Sequence, residues 1–251
     1  MTQPMTTGLC QATSDKVVLR GHDLSKDIMG TMSFAEAFFL LVVGRRLDPG
    51  GVRVLDAVLV ALMEHGMTPQ AIATRMIYLA APDSLQGAIA AGLLGVGGQF
   101  AGTMQETASL LARIVSAPVG EEAAREIVRE HRHAKKGIPG FGHHLHKPDD
   151  PRSLRLFAIA REGAVAGAHI AAIQLLSREL DAASGRHLTI NATGAIAAVL
   201  MDLGFPASLM RGVAVVSRSA GLVAQIGEEE ANPIANRLWR KIEEDVVYQP
   251  S

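Results

Sequence analysis

The segment Gly137–Ser153, GIPGFGHHLHKPDDPRS, brings together three histidines, Lys147, Arg152 and three glycines, directly after Lys135 and Lys136. A glycine-rich loop offers exposed backbone N–H groups, and Arg152 falls in the first turn of a helix opening at Asp150-Pro151, where the helix dipole favours anions. His143, His144 and His146 add groups that hydrogen-bond or exchange protons near neutral pH. Together these residues describe a site for a multiply anionic small molecule carrying carboxylates and phosphates. Two other readings stay open on the residues alone. "HHLH" could ligate a metal, although no Cys/His pair elsewhere has ligand spacing. The loop could also be a solvated basic connection between helices.

The elements that must position this loop are helices. Ser33 with Glu36 forms a capping box at the start of "SFAEAFFLLVVGRRL", which ends at Gly44. Thr68-Pro69 reads as N-cap and first helical residue of "PQAIATRMIYLA". "GEEAAREIVREHRHAKKG" has acids in its first turn and bases in its last, with Gly137 expected just past its end. His131 and His133 fall in that last turn, where the dipole accounts for them. Beyond the loop, "PRSLRLFAIAREGAVAGAHIAAIQLLSREL" reads as one helix. "NATGAIAAVLMDLG" and "PASLMRGVAVVSRSAGLVAQI" follow, and Asn232-Pro233 is expected to open a last helix with Ile234, Leu238 and Ile242 on one face. No run alternates with period two, so the fold class is all-α.

Composition narrows the function. The chain has 251 residues, is 48% hydrophobic and carries a net charge of −1, so no basic field argues for nucleic acid. Aromatic residues are 4%, too few for a base-stacking surface. Cys10 is the one cysteine, which excludes an intrachain disulfide and suits a reducing compartment. The N-terminal stretch lacks a basic region followed by an apolar one, and "GAIAAGLLGVGGQFAG" is short and cut by glycines. The expectation is a soluble cytoplasmic protein without membrane contact.

The loop "GIPGFGHHLHKPDDPR" resembles the one that citrate synthases carry as G-[FY]-G-H, a basic residue, then D-P-R. Further pieces follow in the same chain order. "VVLRGHDL" resembles R-G-[YH]-x-[IL], and "MEHGMTP" the A-D-H segment. "LLGVGGQFAGTMQE" is similar to I-G-D-R-F-G-G-A in the citryl-CoA lyase module of ATP-citrate lyases. "LTINATGAIAAVLMDLGF" resembles N-V-D-G with its helix, and "VVSRSAGLVAQIGEE" resembles [AG]-R-S-x-G-x-x-x-H. The resemblance runs from about Val17 to about Tyr248 and is nearer the lyase module than the longer synthases.

It implies roles at matching positions. His65 would hold the oxaloacetate or citrate part, or could merely cap a helix end before Gly66. His143 would hydrogen-bond the carbonyl or alcohol oxygen of the substrate. Arg152 and Arg218 would clamp its carboxylates by bidentate pairing, though a structural Asp or Glu could also serve Arg218. Gly140, Phe141 and Gly142 would line the backbone approach of coenzyme A, with Lys147 on a phosphate. His144 and His146 match variable positions and read as solvated. The resemblance also implies a homodimer with a large helical domain (1–102 and 206–251) and a small inserted one (103–205) whose closure excludes water. The family borrows an arginine from the partner's C-terminal segment; here neither Arg237 nor Arg240 is assigned to that role, which stays open. No metal is expected.

Two departures bear on the reaction. "GVGGQFAG" lacks the histidine that synthases carry in H-G-G-A, a loss the lyase module shares; Gln99 could donate in its place. The catalytic aspartate of N-V-D falls on Thr193. That aspartate exchanges a proton with the acetyl methyl carbon, a task for which a hydroxyl is far too weak an acid, and losing such a group typically costs about 10²–10⁴ in rate. Asp202 lies more than two turns along the same helix, and Glu228 comes from another segment. The expected activity is therefore cleavage of citryl-CoA, or of a similar 3-hydroxy acyl-CoA, to acetyl-CoA and oxaloacetate. The alternative is a catalytically impaired relative that binds acyl-CoA or a tricarboxylate.

Overall fold

Short-range signals account for several helix starts. The computed structural model describes residues 4–98, 102–143 and 145–250. Among them are eleven α-helices: α1 (Phe34–Val43), α2 (Pro49–Met63), α3 (Pro69–Ala80), α4 (Leu85–Leu94), α5 (Thr103–Ser116), α6 (Gly120–His133), α7 (Pro151–Glu162), α8 (Ala168–Ser184), α9 (Ala192–Asp202), α10 (Met210–Ala231) and α11 (Ala235–Asp245). The all-α class holds. Ser33, Thr68, Asp150 and Asn191 each accept a backbone N–H at a helix start. The capping box is one-sided: Glu36 turns instead to Arg46, 2.7 Å away.

Four local features depart from expectation. Cys10–Ala12 (β1), Val17–Leu19 (β2) and His22–Asp23 (β3) form a small antiparallel sheet. Its strands are too short to show a period, and Arg20 and Gly21, both at positive φ, make the hairpin turn between β2 and β3. Helix α6 ends earlier than Gly137, in a Schellman motif. Lys135 takes the left-handed position there (φ 51), with Lys135 N–H on Arg132 O and Lys136 N–H on His131 O.

The single helix expected after the loop is two, α7 and α8. Their break sits where Gly163 and Gly50 touch backbone to backbone, so closely that a Cβ at Gly50 would strike Gly163 O. Asp202 then accepts the N–H groups of Gly167, His169 and Ile170 (2.9–3.0 Å), starting α8 afresh. Helix α11 opens not on Asn232 but on Glu229, whose carboxylate accepts from Ile234 and Ala235.

The chain divides into two compact units. Unit 1 is Met1–Val58 with Met104–Met210, and unit 2 is Leu59–Thr103 with Arg211–Ser251. Residues 1–58 thus group with 104–210, and the Gly50–Gly163 contact lies within that unit. In unit 1, α7 and α8 pack on α9, and Ala195–Leu200 are fully buried along it. Phe205 stacks against Phe38 and Phe39, with ring centroids 6.1 Å apart in both pairs. In unit 2, α3 pairs with α4 and contacts α11. Gly92 lies so close to Thr74 and Leu222 that no side chain fits there.

Candidate active site

The histidine loop of unit 1 is built against the start of α9. Gly142 N–H donates to Thr189 O (2.8 Å) and Asn191 N–H to Gly140 O (3.0 Å), so Phe141 and Ile190 pair as a short antiparallel bridge. Gly140 has φ +88, and a Cβ there would lie 2.8 Å from Thr107 Oγ1 and 3.0 Å from Gly194 Cα. Glycine is required at this position twice over, by its dihedral and by the helix it touches. Asn191 caps α9 through Oδ1, 3.0 Å from Gly194 N, and turns its amide N–H to Gly142 O at 3.0 Å. Thr193 Oγ1 donates to the same Oδ1 at 2.7 Å. The hydroxyl at the expected aspartate position thus lies in the first turn of α9 beside the loop glycines.

His143 has a defined orientation. Its Nδ1 accepts from Leu145 N–H (3.1 Å) and His146 N–H (3.0 Å), which leaves the ring proton on Nε2. The side chain therefore presents an N–H donor at Nε2, suited to a carbonyl or alkoxide oxygen. His146, expected to be solvated, is half-buried and stacks on His143 at 4.4 Å. Lys147 is exposed. His144 and Gln99 lie outside the described residues.

At the far end of the loop Asp150 is fully buried, which makes it a residue the sequence marked only as a helix cap. Its Oδ1 accepts from Arg152 N and Nε, both at 3.0 Å, and its Oδ2 from Arg152 Nη2 (2.8 Å) and Ala192 N (3.2 Å). One carboxylate thus joins the first turns of α7 and α9. Burial alone would push it up, but hydrogen bonds from the Arg152 side chain and backbone, with the charges of Arg152 and His146, hold it below the usual carboxylate range. Arg152 keeps Nη1 without an acceptor among the described residues, so one end of its fork faces elsewhere. Ligand atoms of His143, His146 and Asp150 lie within 4.8 Å of one another. Asp150 and His143 Nδ1 are nonetheless committed to N–H donors, a poor fit for a cation.

A cavity of about 270 Å³ opens beside the loop. Ile138, Phe141, Leu180 and Leu188 give it apolar walls, and His131 and Lys136 stand among its lining residues. His131 Nδ1–H donates to Ile127 O at 2.8 Å, leaving Nε2 as an acceptor. The helix dipole explains the position of His131 but not this second use.

Unit 2 carries the other two expected residues. His65 is exposed after the end of α2, with its N–H on Glu64 Oε1 (2.8 Å). Gly221 of α10 meets Met63 so closely that a Cβ would strike Met63 O, and the same Cβ would lie 3.1 Å from Glu64 Oε2. Arg218, one turn earlier on α10, therefore shares that neighbourhood with Glu64 and His65. Burial lowers the Arg218 pKa, the charge of Glu64 raises it, and burial prevails. Its Nη1 is buried with no hydrogen-bond partner among the described residues. A buried guanidinium nitrogen without an acceptor is costly.

The remaining carboxylates named from sequence are engaged. Asp202 starts α8 and accepts from His169 Nδ1 at 2.8 Å. Glu228 pairs with Arg75, which is buried and also donates to Gln225 (2.6 Å) and Glu229 (2.7 Å).

The family model "Citrate synthase, C-terminal domain" matches residues 9–241. The chain is similar in structure to a citryl-CoA lyase from Hydrogenobacter thermophilus, with 33% identity and a TM-score of 0.89 over 99% of this chain and 96% of that one. Its fold is like that of an ATP citrate lyase from Methanothrix soehngenii solved with citrate and coenzyme A (TM-score 0.83, 22% identity, all of this chain and 43% of that one). In sequence it is 28% identical over 214 residues to the putative citrate synthase 2 of Mycobacterium tuberculosis, covering 80% of this chain and 52% of that protein. The chain thus spans about half the length of such curated relatives.

Proposed function

The chain belongs to the citrate synthase family, and from that premise we propose that it is a carbon–carbon lyase of citryl-CoA type. It would cleave citryl-CoA, or a similar 3-hydroxy acyl-CoA, to acetyl-CoA and oxaloacetate. The observation that carries this reading is His143: two backbone N–H groups on Nδ1 put the ring proton on Nε2, the donor that this reading needs for the substrate oxygen. Similarity over almost the whole of a solved citryl-CoA lyase supports the lyase direction.

In this reading the C3 hydroxyl of the substrate gives its proton to water, because His143 already carries a proton on Nε2 and has Nδ1 occupied, and the C2–C3 bond breaks. Its electron pair passes into the thioester as an enolate, and C3 becomes the keto carbon of oxaloacetate. His143 Nε2–H holds the oxygen as it changes from alcohol to carbonyl, a role for a preorganised donor. Arg152 through Nη1, Arg218 through its orphaned nitrogen, and His65 take the carboxylates. The backbone at Gly140, Phe141 and Gly142 approaches the coenzyme A chain. The apolar cavity at Phe141 takes its adenine, and Lys147 takes a phosphate. No metal is assigned. A homodimer in the cytoplasm completes the proposal.

The enolate carbon must still gain a proton. Thr193 gives its own to Asn191 Oδ1, Asp150 is held ionised, and Asp202 and Glu228 are paired. The proposal therefore takes that proton from water. The same Thr193 geometry favours a second reading, a protein that binds acyl-CoA or tricarboxylate without turnover.

A coupled assay of oxaloacetate released from citryl-CoA, on the native protein and on Thr193→Asp, separates the two. Turnover in both supports the lyase, with Thr193→Asp faster by as much as about 10²–10⁴. Turnover in Thr193→Asp alone supports the binder. Folded protein silent in both variants rejects citryl-CoA as substrate.

A further inference from the structure

The proposed chemistry makes no use of His187, yet this residue holds the loop that carries His143 and Arg152. It lies between α8 and α9, with Nδ1 2.6 Å from Asp181 Oδ2 and Nε2 3.1 Å from Asp149 Oδ1. Asp181, in the last turn of α8, is itself fixed by Leu188 N–H on Oδ1 at 2.8 Å. Asp149 immediately precedes the buried Asp150, and so sits at the base of the Arg152 pair.

A neutral imidazole carries one ring N–H, so it can donate to only one of two carboxylates and turns a lone pair on the other. The imidazolium donates to both. The charged groups that act on the ring are Asp181 from α8 and Asp149 from the loop. Their hydrogen bonds, then their charges, raise its pKa above the ordinary histidine value against a smaller effect of burial.

Three further ties between the loop and the start of α9 involve no histidine. Thr189 Oγ1 donates to Pro148 O at 2.5 Å, Gly142 N–H is on Thr189 O, and Asp150 takes Ala192 N–H.

We propose that His187 is a positioning residue: protonated, it clips the Asp149 end of the histidine loop to α8, and deprotonated it lets that end go. The Asp181 contact is shorter and braced by Leu188, so Nδ1 keeps its proton and the Asp149 contact is the one lost. Because the folded pKa is raised, the clip is fully present below about pH 6.5 and disappears as pH rises through the higher folded value. The ring is 42% exposed, so the effect is that of a surface pair, about two- to fivefold in the equilibria it controls. Its consequence for ligand binding rests on reading this loop as the acyl-CoA site; the clip itself does not.

The test uses the full chain, first without ligand. Histidine carbon-labelled NMR follows the His187 titration, and amide exchange, corrected for its intrinsic pH dependence, follows Gly142 and Ala192, whose N–H groups tie the loop to the start of α9. Native protein should lose loop protection about two- to fivefold as His187 deprotonates. His187→Gln and Asp149→Asn should show the weaker protection at every pH. Loop protection that stays flat in native protein, or falls equally in His187→Gln, overturns the clip, as does a His187 pKa at or below the ordinary value.

Calorimetric titration with coenzyme A on both sides of that pKa then examines the site. Affinity should weaken by a similar factor in native protein and stay constant in His187→Gln. Equal pH dependence in the two overturns the link to binding. Coenzyme A that binds at neither pH rejects the acyl-CoA reading, while the exchange result alone decides the clip.

Discussion

Arg218 keeps one guanidinium nitrogen out of water with no acceptor among the described residues. A group held that way costs stability in the empty protein and recovers it when an anion arrives. Replacing a buried charge by a hydrophobic group of similar volume is often neutral or stabilising, by about 1–4 kcal/mol in favourable cases. Arg218→Met is therefore expected to leave the thermal midpoint unchanged or to raise it. On the proposed function citrate should shift the native midpoint upward by mass action, and that shift should vanish in the variant. Both are read in one thermal-shift titration, and a variant less stable by more than about 1 kcal/mol would reveal a structural partner instead. The resemblance of the histidine loop and of VVSRSAG to family motifs pointed to His143, Arg152 and Arg218 as candidates. What it did not mark was Asp150 as the partner of Arg152, because a residue at a helix start is fully accounted for by capping. Only its burial and its bond to Ala192 show the second use.

At the scale of elements, the loop and α9 are one device joined at two places, Gly140 against Gly194 and Asp150 against Ala192. Gly140→Ala combines a left-handed dihedral with a clash on Thr107 and Gly194, and should cost about 1–3 kcal/mol in denaturant unfolding. Asp150→Asn breaks a buried pair and should cost about 3–5 kcal/mol at pH 7. The sign of its pH dependence follows from the depressed carboxyl. That stabilisation is complete above the unfolded carboxylate pKa of about 4 and is lost as pH falls through the lower folded value. The gap between native and Asp150→Asn unfolding midpoints should therefore close only below about pH 4, in a urea series run from pH 7 to pH 3. Helix starts marked by Ser33, Thr68, Asp150 and Asn191 were legible because the cap and the N–H it accepts lie within three residues. The break between α7 and α8 was not, since it depends on Gly50 and Asp202, both distant in sequence.

The whole molecule comprises two compact units, one bearing the histidine loop and Thr193, the other His65 and Arg218. Unit 2 has its own buried charge network in Arg75, Gln225 and Glu229, and Glu229 also starts α11. The chain's single tryptophan, Trp239, lies on α11 and reports on it. Glu229→Gln should lower the stability seen by Trp239 fluorescence in denaturant by about 3–5 kcal/mol, because it leaves Arg75 buried with one partner fewer. An unchanged midpoint would assign the network no share in holding α11. Hydrophobic periodicity and capping, read along the chain, determined the helical class, and ordered motifs determined the family. Both are local codes, written in residues a few positions apart. The tertiary structure alone decided that Asp150 bonds Ala192, that Asp202 restarts the chain as α8 at Gly167, and that Arg218 Nη1 is buried with no hydrogen-bond partner among the described residues. Those facts depend on which donors and acceptors meet across tens of residues, and on which of them water no longer reaches.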